Sequence, residues 1–316
     1  MSKRVNVSEE AVIAVEYRNY LKNGTRLKII LPFVLFILTV VQVSAQDRKN
    51  DWEKENLKRK IKSIEKHHYE VTDKYGKIVK GTYKGAVVNK YDRNGNIIEN
   101  SFYNSDRSLE LKSIEKYDKK GNQIEAICYF FDGKLNWKCV YKYDNKGNQI
   151  EANTYNSDGS LRHKRTYEYD KKGKQIEQSF QESYRIINNY YEYGKKGNLI
   201  KDSIYFSSGG SGNTIYQYDK KRNKIEEDYY FDRNPSIKSI YKYDKEGNEI
   251  EKSRYNSDGS LDYKFIYEYK YDKKGNWVEM IQYEGEAKNP IQIIERKIEY
   301  YEWYGRVFSR EKRVSG

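Results

Sequence analysis

The sequence predicts an all-β protein. It reads as a repetitive antiparallel meander of about 16 strands, in two-strand units of about 25 residues, forming an elongated, twisted or spiralling sheet. Three observations carry this. The motif Tyr-Asp-x-x-Gly-Asn begins at Tyr91, Tyr117, Tyr143, Tyr243 and Tyr271, with degenerate copies at Tyr169, Tyr193 and Tyr218. A second turn, Tyr-Asn-Ser-Asp-Gly-Ser-Leu, stands between copies at 155–161 and 255–261, with variants at 103–109 and 130–135. The segments between turns alternate: Leu135, Trp137, Cys139, Tyr141 and Tyr143 share one face, and Asn136, Lys138, Val140 and Lys142 the other. Period-two alternation is the mark of half-buried strands.

The elements follow in order. Residues 1–25 are a polar extension that sets the next segment unusually far from Met1; translation from a non-AUG codon near Leu27 would account for it. Residues 26–45 have the parts of a signal peptide. Arg26 and Lys28 precede an apolar run over 29–41, and Val43-Ser44-Ala45 supplies small residues before an expected cut at Gln46. An uncleaved anchor is the alternative. Residues 46–66 are a charged lead with Trp52, Leu57 and Ile61 as its apolar residues and a short helix expected within it. Residues 67–305 are the repeat domain. A ninth, weaker copy opens the array, where 62–66 repeats the wording of 112–116 and Asp73-Lys74-Tyr75-Gly76 stands as its Asp-x-x-Gly turn. Residues 299–304 read as the final strand and 306–316 as a polar tail.

The turns have a chemical logic. Asp at the first position and Gly at the fourth suit a type I turn followed by a left-handed residue, the three-residue hairpin loop with a bulge. On the strands, alternating Lys and Glu predict cross-strand ion pairs on a solvated face. Tyr suits the opposite face, because its ring packs while its hydroxyl stays hydrogen-bonded.

Composition narrows the class. The chain has 316 residues with 60 Lys+Arg against 47 Asp+Glu, and 15% are aromatic. That aromatic content excludes a disordered chain, and one apolar run excludes a polytopic helical membrane protein. The two cysteines, Cys128 and Cys139, flank a turn; whether they share a face and pair depends on a register the sequence leaves open.

The stretch Tyr141-x-Tyr143-Asp144-x-x-Gly147-Asn148-x-Ile150 resembles the YD repeat of the RHS and teneurin families. So do the stretches at Tyr167, Tyr241 and Tyr269, and the resemblance covers about residues 69–305. It implies a spiralling β-sheet shell associated with cell-surface and carbohydrate binding or with toxin enclosure. The family usually has Arg where this chain has Asn148, Asn248 and Asn276. The Asp-Gly turns and Tyr strands are also similar, more loosely, to MORN-type and YwqK-type antitoxin repeats.

No residue pattern points to catalysis, and no metal or cofactor is expected. His67 and His68 are adjacent, so a strand sends them to opposite faces, and His163 takes a position that is Trp137 in the preceding unit. Glu125, Glu151, Glu177, Glu226, Glu251 and Glu279 recur at one repeat position, which reads as a solvated ladder and not as a carboxylate pair. Lys and Glu are interspersed along every unit without a dense basic block, which disfavours a nucleic-acid partner. The remaining candidate is an aromatic ladder: Trp137, Tyr141, Tyr143, Tyr167, Tyr169, Tyr241, Tyr243, Tyr267 and Tyr269. Its plain reading is the packed face of the sheet; its sharper one is an exposed stacking platform for sugars or a partner strand. The expected function is that of an exported, non-enzymatic binding module, secreted, periplasmic or on the cell surface, with a glycan, envelope polymer or protein as partner. The alternative is an antitoxin-type protein that neutralises a cognate protein.

Overall fold

A computed structural model describes residues 50–302, apart from 76, 183, 184 and 233. The expected signal segment and the polar tail lie outside the described residues.

Every strand is antiparallel to its sequence neighbours, from β1 (Ile61–Lys74) and β2 (Lys77–Tyr91) to β17 (Trp277–Glu284) and β18 (Asn289–Tyr300). Most strands between these ends have seven to eleven residues. The meander is therefore as expected, but the sheet is not open. β18 pairs with β1, from Ile61↔Tyr300 to Glu70↔Gln292, so 18 strands close into a barrel. Closure removes both free edges of a wide sheet, which would otherwise invite pairing with other chains. The expectation of about 16 strands counts two per clear motif. The strands at the two ends of the array, β1 and β18, are the remaining two, and they form the seam.

The turns sort into two rims. Those after even-numbered strands are the Asp-x-x-Gly-Asn turns and make the first rim. Those after odd-numbered strands make the second. The opening copy is placed differently from expectation: the turn after Lys74 follows an odd strand, so it belongs to the second rim. Although 62–66 and 112–116 share wording, β1 and β4 (Leu109–Tyr117) run in opposite directions along the barrel. The final strand also ends earlier than expected, at Tyr300.

Turn chemistry is as anticipated. Gly121, Gly147 and Gly173 take φ of +82°, +86° and +80°. Asp144 Oδ1 accepts the Asn148 backbone N–H at 2.7 Å, and Asn148 Nδ2 donates to Asp144 Oδ2 at 2.9 Å. The same pairing recurs at Asp118–Asn122 and Asp244–Asn248. The Asn that departs from the YD pattern thus ties its own turn. At the second rim Asp158 accepts from the Ser160 backbone and hydroxyl at 2.9 and 2.6 Å.

The lead contains the expected helix, α1 (Asp51–Lys54), capped by Asn50 and Glu53. It touches distant parts of the first rim. The Asp51 and Trp52 N–H groups donate to Gly95 O, and Asn56 Nδ2 donates to Glu246 O. Those turns lie six strand spacings apart, about 29 Å along the wall. The six residue steps from Asn50 to Asn56 span at most about 21 Å even when extended. The segment therefore crosses on the concave side. It packs on Ile64 and Tyr91, so their face is the barrel's interior. By register, the face with Cys139, Tyr141, Ala152 and Thr154 is continuous with it.

The two faces differ as the alternation predicts. Outside, Glu151 bridges Lys142 and Lys164 at 2.6 and 2.9 Å, and Glu99 bridges Lys90 and Lys112 at 3.0 and 2.8 Å. The two lysines hold the Glu151 carboxyl down at about 2. An outer wall of Lys–Glu–Lys rows suits water and not hydrocarbon, since a membrane-spanning barrel needs an apolar outer band. Among the described residues, no helix is long and apolar enough to cross a membrane.

Candidate binding site: the inner face of the barrel

The inner face begins with small residues set opposite large ones. Tyr141 stands opposite Ala152, and Ala126 opposite Cys139. Ala126, Cys139, Ala152 and Tyr167 are buried in one cluster, with Trp137, Tyr141 and Tyr169 packed against it.

All nine residues of the aromatic ladder fall on or beside this cluster or at its equivalent in later units, but they do not do one job. Tyr143 donates its hydroxyl to Gln123 O at 2.7 Å, Tyr169 to Gln149 O at 2.7 Å, Tyr243 to Lys224 O at 2.8 Å and Tyr269 to Glu249 O at 2.8 Å. Tyr117 does the same to Ile97 O at 2.8 Å. Each clamp ties the end of one unit to the strand that follows the preceding first-rim turn. The signal is present in sequence as a Tyr 19 or 20 residues after its acceptor in unit after unit; only the register tells that the two meet. Tyr269 and not Tyr271 clamps in its unit, because β16 (Leu261–Tyr271) is longer; Tyr271 instead donates to Asp244 at 2.6 Å.

That leaves Trp137, Tyr141, Tyr167, Tyr241 and Tyr267. Tyr167 and Tyr241 are buried and the other three half-buried. Burial pushes the Tyr167 hydroxyl up to about 12 and the Tyr141 hydroxyl well above its ordinary value. These phenols stay neutral at any physiological pH and act as hydrogen-bond donors. Tyr241 donates to Glu227 at 3.2 Å. Carboxylates also face this layer. Burial raises Glu115, Glu249 and Asp202, and Asp202 accepts from Tyr216 at 2.8 Å. The inner wall therefore offers ring faces beside hydroxyl and carboxyl groups. Eighteen strands make a wall too wide for its own side chains to fill, as in barrels of that size generally.

The seam carries a group absent from the sequence expectations. Glu55, just after α1, accepts from Lys66 at 2.8 Å, Arg296 at 3.3 Å and Tyr91 at 3.3 Å. Burial acts to raise the Glu55 carboxyl, but Lys66 and Arg296 outweigh it and hold it below 4.5. Arg296 lies 3.4 Å over the Trp277 ring, and burial brings it down to about 10. In sequence Glu55 is one charge among many in a polar lead, and nothing local sets it apart.

The other sequence candidates are dispersed. His67 meets Glu65 at 3.0 Å, while His68 meets Gln292 at 3.0 Å on the other face. His163 packs on Phe180 with ring centroids 5.3 Å apart. Cys128 and Cys139 are free thiols; they share the inner face but stand diagonally, opposite Trp137 and Ala126. Diagonal neighbours are about 7–8 Å apart, beyond disulfide reach.

Comparison with known proteins gives fold likenesses. Residues 109–153 match a family model described as a protein of unknown function, DUF2963. No curated protein matches. A porin-like protein from Bacteroides uniformis ATCC 8492 is similar over 76% of this chain and 96% of its own, at 11% identity and TM-score 0.39. One from Bacteroides vulgatus ATCC 8482 is similar over 74% and 99%, at 15% identity and TM-score 0.33. A chain in the TcdB2-TccC3-Cdc42 structure is similar over 63% of this chain but 15% of its own, at 14% identity and TM-score 0.21. At such scores these likenesses carry no argument about function.

Proposed function

We propose that the protein is an exported, non-enzymatic β-barrel binding module whose aromatic inner wall takes an extended glycan or envelope polymer. One observation carries the reading: half-buried Trp and Tyr rings stand beside neutral hydroxyls on a concave wall, while the outer wall is taken up by Lys–Glu rows. Ring faces stack on the apolar faces of sugars, and hydroxyl and carboxyl groups serve their hydroxyls. The periodic lining suits a periodic ligand, and its resemblance to YD repeats agrees with carbohydrate binding. The signal-like segment supports a secreted, periplasmic or cell-surface address.

The test is a titration of neutral oligosaccharides and envelope polymers against the protein and two variants, Trp137→Ala and Tyr267→Ala. Neither residue is one of the clamps. Each variant is expected to weaken binding about fivefold, in line with an aromatic contact worth roughly 1 kcal/mol. Absence of binding by the parent, or binding unchanged in both variants, overturns the reading. Mass spectrometry of the exported protein tests the address, with Gln46 expected at its N-terminus.

A further inference from the structure

Charge that is dispersed along the sequence is sorted by height in the barrel. The first rim has eight turns, each with two central positions between its first and fourth residues. Of those sixteen positions thirteen are Lys or Arg, and one, Glu246, is acidic. The pairs Lys119-Lys120, Lys171-Lys172 and Lys220-Lys221 are all exposed, and none of the six is in an ion pair among the described residues. Seven of the eight turns open with an Asp that offsets part of this charge, and over the complete four-residue turns fourteen basic residues stand against eight acidic ones, so the rim stays positive. The second rim is the reverse. Six of its nine turns, at 104–107, 130–133, 156–159, 206–209, 256–259 and 285–288, have five acidic residues and no basic one in their central pairs, and Arg107 and Lys288 close two of them. Between the rims the lysines of the wall are matched by glutamates.

A second feature coincides with the basic rim. Two residues behind each turn's Asn position, Ile98, Ile124, Ile150, Ile176 and Ile200 are 38–40% exposed. They sit on alternate strands, about 10 Å apart around the barrel. Both ends of the described chain also leave here: Asn50 bonds to the first-rim turn at Asn94, and β18 finishes at this rim with Tyr300.

We propose that the first rim is a docking surface for an anionic lipid bilayer, with the barrel standing on its basic end and the second rim facing away. A ring of basic turn tips matches a flat anionic surface, whereas a nucleic-acid duplex would need a groove or stripe. Apolar side chains just behind the tips suit insertion at the headgroup boundary. The acidic second rim is repelled by the same surface and fixes the orientation. Docking of this kind depends on the rim alone and not on what the inner wall binds.

The experiment is cosedimentation of the exported chain, beginning at Gln46, with two kinds of vesicle. One is phosphatidylcholine alone; the other is three parts phosphatidylcholine to one of phosphatidylglycerol. Each basic residue near an anionic surface is worth about fivefold in partitioning, and contributions overlap, so a preference for anionic vesicles of at least about a hundredfold is expected. It should fall steeply between low and high salt. A variant with Lys119, Lys120, Lys171, Lys172, Lys220 and Lys221 all changed to Glu should lose the preference. A control with Lys112→Glu, Lys138→Glu and Lys164→Glu at mid-height of the wall should keep it, with circular dichroism and thermal melting checking the fold of both. Equal partition into both vesicles, retention of the preference by the rim variant, or tight binding to soluble DNA without binding to vesicles would each overturn the proposal.

Discussion

The wall from β3 (Ile97–Tyr103) to β9 (Gln175–Glu182) and the seam formed by β18, β1, β2 and α1 are held together differently. The wall repeats a small set of interactions: a turn tied by Asp and Asn, a Tyr clamp and a Lys–Glu–Lys row. Each is modest and each is present several times. The seam has no repeat to lean on. It joins strands more than 200 residues apart and does so with one buried group, Glu55 with Lys66, Arg296 and Tyr91, beside the cluster of Trp52, Ile61, Ile64 and Tyr91. A closed repeat array distributes its strength around the wall but concentrates its closure at one place. Loss at the seam should therefore cost far more than the same loss in the wall.

Glu55→Ala should produce the largest effect. It leaves Lys66 and Arg296 buried without their counterion, and destabilisation of about 3–5 kcal/mol is expected by denaturant titration. A loss under about 1 kcal/mol would break the comparison. Next is one substitution made at one repeat position in both regions. Gly95→Ala places a Cβ 2.6 Å from the Trp52 ring at φ +91°, whereas Gly121→Ala at φ +82° meets nothing within 4 Å. Both carry the left-handed strain of about 1–2 kcal/mol, and only the first adds overpacking of about 1–3 kcal/mol. Equal melting temperatures for the two variants would contradict a seam-specific role for Trp52. Within the wall, Tyr143→Phe removes a clamp and should cost about 1 kcal/mol. Lys142→Ala should cost no more than a few tenths, because its partner Glu151 keeps Lys164 and Lys142 itself is exposed.

Acid separates the seam from the later wall strand Leu199–Phe206 in another way. The Glu55 carboxyl is held below 4.5 in the folded state, so its contribution is complete above that value and is lost as pH falls through the folded one. Asp202 is shifted the other way by burial. Its contribution is present below the ordinary 3.8 and is lost as pH rises through the raised folded value. Asp202→Asn should therefore stabilise the protein at neutral pH and gain nothing in acid, whereas Glu55→Gln should be most harmful at neutral pH. Melting curves of both variants at neutral and acidic pH check the two signs.

The comparison also explains what could be read in advance. Turn residues report their own conformation, so Asp144, Gly147 and Asn148 announce a hairpin without any tertiary information. Alternation reports the faces, and the Lys–Glu rows follow. Two parts are hidden. Tyr143 and Gln123 O meet because register fixes them side by side, and a list of tyrosines looks the same whether they clamp the wall or line a site. Glu55 gains its role only when β18 arrives beside β1.

By itself, then, the sequence determined the strand pattern, the hairpins, the separation of an ionic face from an aromatic one and the unit length. These depend on contacts within a few residues or between adjacent units. Closure into 18 strands depended on accumulated twist and on one long-range pairing, which no local motif encodes. The basic first rim was decided there too. Lysines spread at 24–28-residue intervals look diluted by glutamate along the chain, and only a meander with all its odd turns at one end and all its even turns at the other collects them into a ring.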